Sequence, residues 1–264
     1  MKFSFDNETP SSSSGFTNAE STTFNSIQLD LFLDASFDKP VSTDAPTFAE
    51  QTTTRLSHVL DPSRTACLTH IDYTSRFQMP MVNRYEGPIP QQLVAYKRLT
   101  HGIPHRLGIC PMFYTDDGHI EYVERHLVAV TKDLLLYDYA LSPDYSAYLD
   151  WPRPYQQVNM LKNKTIAAIW QYFGIKLIPS ITWTTIDHIE EDLDGWPTKS
   201  VIAINSTGLG RDKRSRFHWH EGYEATISLL KPTHILRYGA KQPDELEGIS
   251  TYYENNNRSY RKCE

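Results

Sequence analysis

Residues Tyr155 to Trp183 read YQQVNMLKNKTIAAIWQYFGIKLIPSITW, and this stretch decides the fold. Val158, Leu161, Ile166, Ile169 and Trp170 recur at helical spacing, so Tyr155–Phe173 is expected to be a helix. Gly174 follows where a left-handed C-cap belongs. Ile175–Trp183 is then read as a strand.

The pattern continues on both sides. Upstream, Leu134-Leu135-Leu136-Tyr137 reads as a buried strand leading to the loop Ser142-Pro143-Asp144-Tyr145-Ser146. Downstream come a short helix around Asp187–Leu193, a strand at Val201–Ile204, a helix at Glu221–Leu230, and a strand at His234–Tyr238 ending at Gly239. Strands alternating with helices imply an α/β fold, a mainly parallel sheet with helices on both faces. Ligand sites in such sheets lie beyond the carboxyl ends of the strands. Between Ser57 and His126, apolar pieces are broken by Pro80, Pro88, Pro90, Gly102 and Gly118, which fits irregular strands and loops with a short helix around Gln91–Leu99. The expected domain is 56–243, followed by a loose polar tail at 244–264 that includes Asn255-Asn256-Asn257.

The chain has 264 residues, 39% hydrophobic and 12% aromatic, enough apolar material for one good core. No run of about 18 apolar residues is present, and the N-terminus lacks the pattern of a signal peptide, so a soluble cytoplasmic protein without membrane contact is expected. Cys67, Cys110 and Cys263 are widely spaced and form no C-x-x-C pair, so neither a disulfide framework nor a cysteine zinc site is indicated. A net charge of -6 argues against coating nucleic acid by bulk electrostatics, and leaves only local basic patches for that role.

Residues 1–55 are rich in Ser, Thr, Asp, Asn and Pro and carry the run Ser11–Ser14. Such a segment buries too little apolar area to offset the entropy of ordering it, so a disordered N-terminal tail is expected. One apolar island interrupts it, from Ser26 to Leu33. Within the island, Gln28-Leu29-Asp30-Leu31-Phe32 resembles the pentapeptide by which bacterial polymerases, repair enzymes and some mobile-element proteins bind the replication sliding clamp. A leucine and a terminal phenylalanine would fill an apolar pocket while the glutamine makes directional hydrogen bonds. The resemblance implies the bacterial sliding clamp as a partner, with the tail holding the domain near DNA.

A second resemblance covers about Pro80 to Pro243. The Ser142–Ser146 loop, Phe173–Pro179, Trp183, Asp194-Gly195-Trp196-Pro197, Val201–Thr207, Gly222-Tyr223 and Pro232 through Tyr238-Gly239 together resemble the domain-of-unknown-function family 4417. That family occurs in bacteria, phages and integrated mobile elements. The resemblance implies such an origin and supplies no activity and no cofactor.

The candidate residues stand at strand ends. Asp144 can act as a base, a metal ligand or an acceptor facing the crevice, or it can cap a turn. Asn205 opens the loop Asn205-Ser206-Thr207-Gly208 after a strand; the loop lacks the spacing of a phosphate-binding loop. Arg211, Lys213, Arg214 and Arg216 form a basic cluster that can meet DNA phosphates or remain a solvated loop. His218 and His220 share the spacing of the metal pair in rolling-circle endonucleases, with Tyr252, Tyr253 and Tyr260 downstream. In those enzymes the pair lies on a strand, whereas here it precedes a helix and should diverge, so no metal site is assigned. The order of Asn205, His218 and the Gly222 helix is also similar to uracil-DNA glycosylases, although Ile175–Trp183 is an additional strand and their late His-Pro-Ser-Pro loop is missing.

Three functions remain open from sequence: a phage or mobile-element accessory protein for DNA replication or processing, docked on the clamp; a DNA-processing enzyme, nicking or base-excising, using Asp144, Asn205 and His218 or His220; and a non-catalytic clamp adaptor or inhibitor.

Overall fold

Short runs of buried residues build the sheet, most of them buried on consecutive positions as in Ile109–Met112 and at 201–204. In β1 (Gln92–Ala95), Leu93 and Ala95 are buried while Gln92 is exposed, the period of two expected of a strand with one covered face. The computed structural model describes residues 68–99, 108–207, 209, 213–239, 241–242 and 247–253. The expected tail, with the Gln28–Phe32 peptide, lies outside the described residues, as do Cys67, Cys263 and Tyr260.

After β1 come α1 (Tyr96–Leu99), β2 (Ile109–Met112), α2 (Asp117–Arg125), α3 (Leu127–Leu134), β3 (Ala140–Leu141) and α4 (Arg153–Tyr172). They are followed by β4 (Leu177–Ile178), α5 (Ile189–Leu193), β5 (Val201–Asn205), α6 (Lys213–Leu230), β6 (His234–Tyr238) and β7 (Ser250–Tyr253). The longest helix, α4, starts beside Pro154, whose fixed φ suits a first turn, and stops at Gly174, φ +88°, in the left-handed cap that the sequence predicts.

Every ladder between these strands is parallel. β1 pairs with β2, β3 with β4, and β5 with β6 and then β7. A parallel bridge between Ser180 and Ala203 joins the end of β4 to β5, through Ala203 N–H to the Pro179 carbonyl at 2.7 Å and Ile181 N–H to the Ala203 carbonyl at 2.8 Å. β2 lies against β3. The strands therefore follow one another in space in chain order.

A flat sheet of that order would hold β2 and β6 about 19 Å apart, four strand spacings. Instead the ring of Tyr114, just past β2, stacks on Tyr238 at the end of β6 with centroids 5.2 Å apart. Tyr253 Oη, at the end of β7, donates to the Pro90 carbonyl just before β1 at 2.6 Å. The sheet is rolled into a barrel. Leu93, Cys110, Leu141, Ile178, Ala203, Leu236 and Tyr253, one from each strand, share a single interior cluster. The alternate side chains, among them Ala140, Leu177, Ile202 and Ile235, join a second cluster with Val123 and Leu127 of α2 and α3, Trp170 of α4, and Trp219 of α6. The α/β class with parallel strands stands as read from sequence; the two clusters sort the helices onto the outer layer, with side chains of the strands and of the segments flanking them, Tyr85, Tyr114 and Tyr139 among these, filling the inner one.

Four local readings change. The segment Gln91–Leu99, expected to be a short helix, is strand β1 over Gln92–Ala95 and helical only over Tyr96–Leu99. Leu134–Tyr137 is not a strand: Leu134 ends α3, Leu136 is exposed, and β3 begins at Ala140. Four apolar residues in a row do not separate a strand from a helix end, whereas Ile120, Val123, Leu127, Val130 and Leu134 upstream carry helical spacing through a segment read as irregular. The helix expected from Glu221 begins at Lys213, so Lys213, Arg214, Arg216 and both candidate histidines fall within it. The tail beyond Pro243, expected to be loose, contributes the 3-10 turn Glu247–Ile249 and strand β7. Tyr252 and Tyr253 are thus strand residues, and Tyr253 belongs to the barrel interior.

Among the described residues no helix is long and apolar enough to cross a membrane.

Candidate functional site at the barrel mouth

The carboxyl ends of β2 to β6 converge. Asp144, three residues beyond the end of β3, takes a hydrogen bond from Thr182 Oγ1, beyond β4, and another from the side chain of Asn205, the last residue of β5. Ser180 Oγ donates to Tyr114 Oη at 2.9 Å, and Tyr114 in turn lies on Tyr238. Ser180 N–H donates to Ser142 Oγ at 2.7 Å, which ties the β3 and β4 loops together directly beneath Asp144.

The Asp144 loop is held by amides on one face of α4. Asn163 Oδ1 accepts from Tyr145 N–H at 2.7 Å and its Nδ2 donates to the Tyr145 carbonyl at 3.2 Å. One turn earlier, Asn159 Nδ2 donates to the Ser146 carbonyl at 2.8 Å, and Gln156 Nε2 to the Tyr148 carbonyl at 2.8 Å. The loop thus runs antiparallel along the helix, its polar backbone satisfied by a column of buried side chains. From the other side, Asp117 at the start of α2 accepts from Ser146 N–H and Oγ at 3.2 and 3.0 Å. Asn205 Oδ1 accepts from Thr207 N–H at 2.8 Å, and Gly239, φ +107°, lies so close that a β-carbon there would sit 2.7 Å from Thr207 N.

Burial raises the Asp144 carboxyl to about 6 against the partial relief of its bonds to Thr182 and Asn205, and the Asp117 charge raises it further. Such a group is shared between both protonation states near neutral pH, the requirement for proton transfer in either direction. The Tyr114 hydroxyl is pushed well up by burial and then by the Asp144 charge, so it stays a neutral phenol that can donate.

Of the residues singled out from sequence, the fold brings Asp144 and Asn205 together. It does not bring the histidines to them as a pair. His218 and His220 lie two positions apart on α6, about 200° around a helix, with buried Trp219 between them. His218 Nδ1 faces Glu221 on its own helix at 3.8 Å, and His220 meets the edge of Trp219. Among the described residues, no three His, Cys, Asp or Glu side chains converge as a metal site requires. Arg211 lies outside the described residues; Lys213 opens α6, Arg214 follows it, and Arg216 is exposed.

Tyr114, Ser180 and Thr182 were not candidates from sequence. Each lies just beyond a strand end, the signal that singled out Asp144, but single hydroxyl residues there are too common to stand out. A separate cleft of about 130 Å3, lined by Tyr96, Lys97, Met112, Thr115 and His119, opens beside the ends of β1 and β2. It is well below the roughly 300 Å3 of a small-molecule site.

Fold and site together define a parallel β/α-barrel protein with an acid, amide and hydroxyl cluster at the carboxyl mouth of the barrel. The chain belongs to the family described as Domain of unknown function (DUF4417), whose sequence model matches residues 71–254. It is similar to the Gene 1 protein of Mycobacterium phage D29, 27% identical over 172 residues, 62% of this chain and 64% of the phage protein. It is also similar to the Gene 1 protein of Mycobacterium phage L5, 33% identical over 100 residues, 38% of this chain and 44% of that protein. The chain therefore spans less than two thirds of either relative. No solved structure matches it.

Proposed function

We propose that this phage-type protein is a nucleic-acid-processing enzyme in which Asp144 is the general acid–base. The observation that carries the reading is the Asp144 carboxyl, raised to about 6, held between Thr182 and Asn205 at the mouth of a β/α barrel. Barrel enzymes place their reacting groups at that end, on loops that follow different strands. Asn205 orients the carboxyl and the Tyr114 phenol supplies a neutral donor beside it, so a water or hydroxyl bound between them would lose its proton to Asp144.

The basic segment favours a phosphate-bearing substrate. Lys213, Arg214 and Arg216 open α6, which has no acidic residue in its first turn. Cations at a helix N-terminus oppose the macrodipole, and the arrangement becomes favourable when an anion binds there. α6 follows directly from the Asn205 loop, so this positive segment borders the same mouth.

A second element of the reading is recruitment to the bacterial sliding clamp. It is carried by the Gln28–Phe32 peptide alone, and the same peptide would serve a non-catalytic adaptor. The two are separated by assaying the full chain for nicking and base release on single- and double-stranded DNA. Loss of turnover in Asp144→Asn with the fold retained supports the enzyme, while a wild-type chain with no turnover that still binds the clamp leaves the adaptor.

A further inference from the structure

The loop that carries Asp144 ends in a group of exposed aromatic rings. Tyr148, Trp151 and Tyr155 are 45%, 40% and 64% exposed, with Tyr148 and Trp151 centroids 4.8 Å apart and Trp151 and Tyr155 6.5 Å apart. Among the described residues Trp170, Trp196 and Trp219 are core residues, and the other exposed aromatic side chains, Tyr73, Tyr122 and Phe217, lie far from this group in the chain. Three neighbouring rings facing solvent are unusual for a surface that only needs to stay dissolved.

Their position ties them to the mouth. Tyr148 is four positions beyond Asp144, a reach of at most about 14 Å. The loop is rigid over that distance, since Asn163, Asn159 and Gln156 fix the carbonyls of Tyr145, Ser146 and Tyr148 in turn. The Trp151 N–H bonds back to the Tyr148 carbonyl at 3.1 Å, and Tyr155 N–H to Pro152 at 3.0 Å, so the rings are presented on an ordered turn. After Asn205 at the end of β5, the next helix, α6, begins with Lys213, Arg214, Ser215 and Arg216, and a helix that follows a barrel strand starts at that strand's carboxyl end.

From this juxtaposition we infer that the mouth takes a single-stranded nucleic acid, with unpaired bases stacked on Tyr148, Trp151 and Tyr155 and the backbone led across Asp144 towards the start of α6. The inference deepens the proposed function and rests on it. Ring faces accept any base, while paired bases in a duplex offer no faces to them; base stacking combined with a positive track is how single strands are held. The net charge of -6 confines that track to local segments, and the basic start of α6 is such a segment.

The test is fluorescence anisotropy of a labelled oligodeoxynucleotide, single-stranded or annealed to its complement, with the full chain. The wild type should prefer the single strand. Trp151→Ala and Tyr155→Ala should each weaken single-strand binding roughly 5- to 150-fold, and Trp151→Phe should restore most of it. Both side chains are exposed, so the variants keep the fold. Equal affinity for duplex and single strand, or alanine variants that bind as the wild type does, would overturn the inference. So would alanine variants that only convert a dimer to a monomer, which would assign the rings to a second copy of the chain. Asp144→Asn separates the two readings: single-strand affinity retained with turnover lost supports both, whereas turnover retained removes the catalytic role and leaves the strand-binding surface standing on the Trp151 result.

Discussion

Tyr114 and Tyr238, four strands apart in the sheet, stack at 5.2 Å across the barrel. This contact is available only to a rolled sheet, and it places a phenol that accepts from Ser180 at 2.9 Å within the field of Asp144. Tyr114→Ala should cost about 3–5 kcal/mol through the cavity it leaves, whereas Tyr114→Phe should cost only about 1 kcal/mol for the lost Ser180 bond. Denaturant titration of the two variants measures the difference. Similar costs for both would show that the ring contact carries little.

The Asp144 carboxyl gives a pH signature. Its folded value of about 6 lies above the ordinary 3.8, so folding favours the protonated acid; the resulting penalty grows as pH rises from about 4 to 6 and persists above. Asp144→Asn should therefore be more stable than the wild type at pH 8, by up to about 2 kcal/mol, and should match it near pH 4. If Asp144 is the base, kcat/KM rises with pH through about 6 and the Asn variant loses at least about 100-fold. Thermal melts and a rate profile read the two effects separately.

The amide column on α4 predicts coupled losses. Asn163→Ala removes two hydrogen bonds to the buried Tyr145 backbone, at a cost of about 2–3 kcal/mol. It should also release the Asp144 loop, so turnover falls while the pH inflection flattens or shifts. Turnover unchanged in a destabilised variant would show that the loop does not depend on the column.

Gly222 on α6 lies against the Trp183 indole, and a β-carbon there would fall 2.0 Å from its Nε1. Gly222→Ala must displace the Trp183 ring, which packs on Trp219 at 5.9 Å, and should destabilise the fold by about 1–3 kcal/mol despite the better helix propensity of alanine. Urea unfolding checks the sign, which propensity alone would reverse.

Asp192 is fully buried and accepts from Arg153 at 2.7 Å, Thr184 N–H at 2.7 Å and Thr184 Oγ1 at 2.6 Å, while Lys164 Nζ donates to its carbonyl at 2.8 Å. Asp192→Ala takes the acceptor from the buried Thr184 N–H and hydroxyl and leaves Arg153 with Glu191 as its remaining carboxylate, and should cost about 2–3 kcal/mol. Lys164→Met should be far milder. Burial already lowers that ammonium to about 8, against the pull of Asp192, and the long apolar stem is preserved. Chemical denaturation of both variants tests the ranking.

Local pattern alone made much of this protein legible. The 3.6-residue spacing through Trp170, the cap at Gly174, the strands at Val201 and His234, and the strand-end position of Asn205 all follow from periodicity and turn chemistry, which act over a few residues. The tertiary structure alone decided the rest. Whether parallel strands lie flat or roll up depends on accumulated twist and on how interior side chains from distant strands fill a common space, as Tyr114 and Tyr238 do. β7 was hidden because Ser250–Tyr253 gains its ladder only by adding to β6. Gln156, Asn159 and Asn163 resemble a solvated helix face in sequence. They are buried because a loop 8 to 18 residues away in the chain consumes their hydrogen bonds, and that exchange of water for backbone fixes where Asp144 stands.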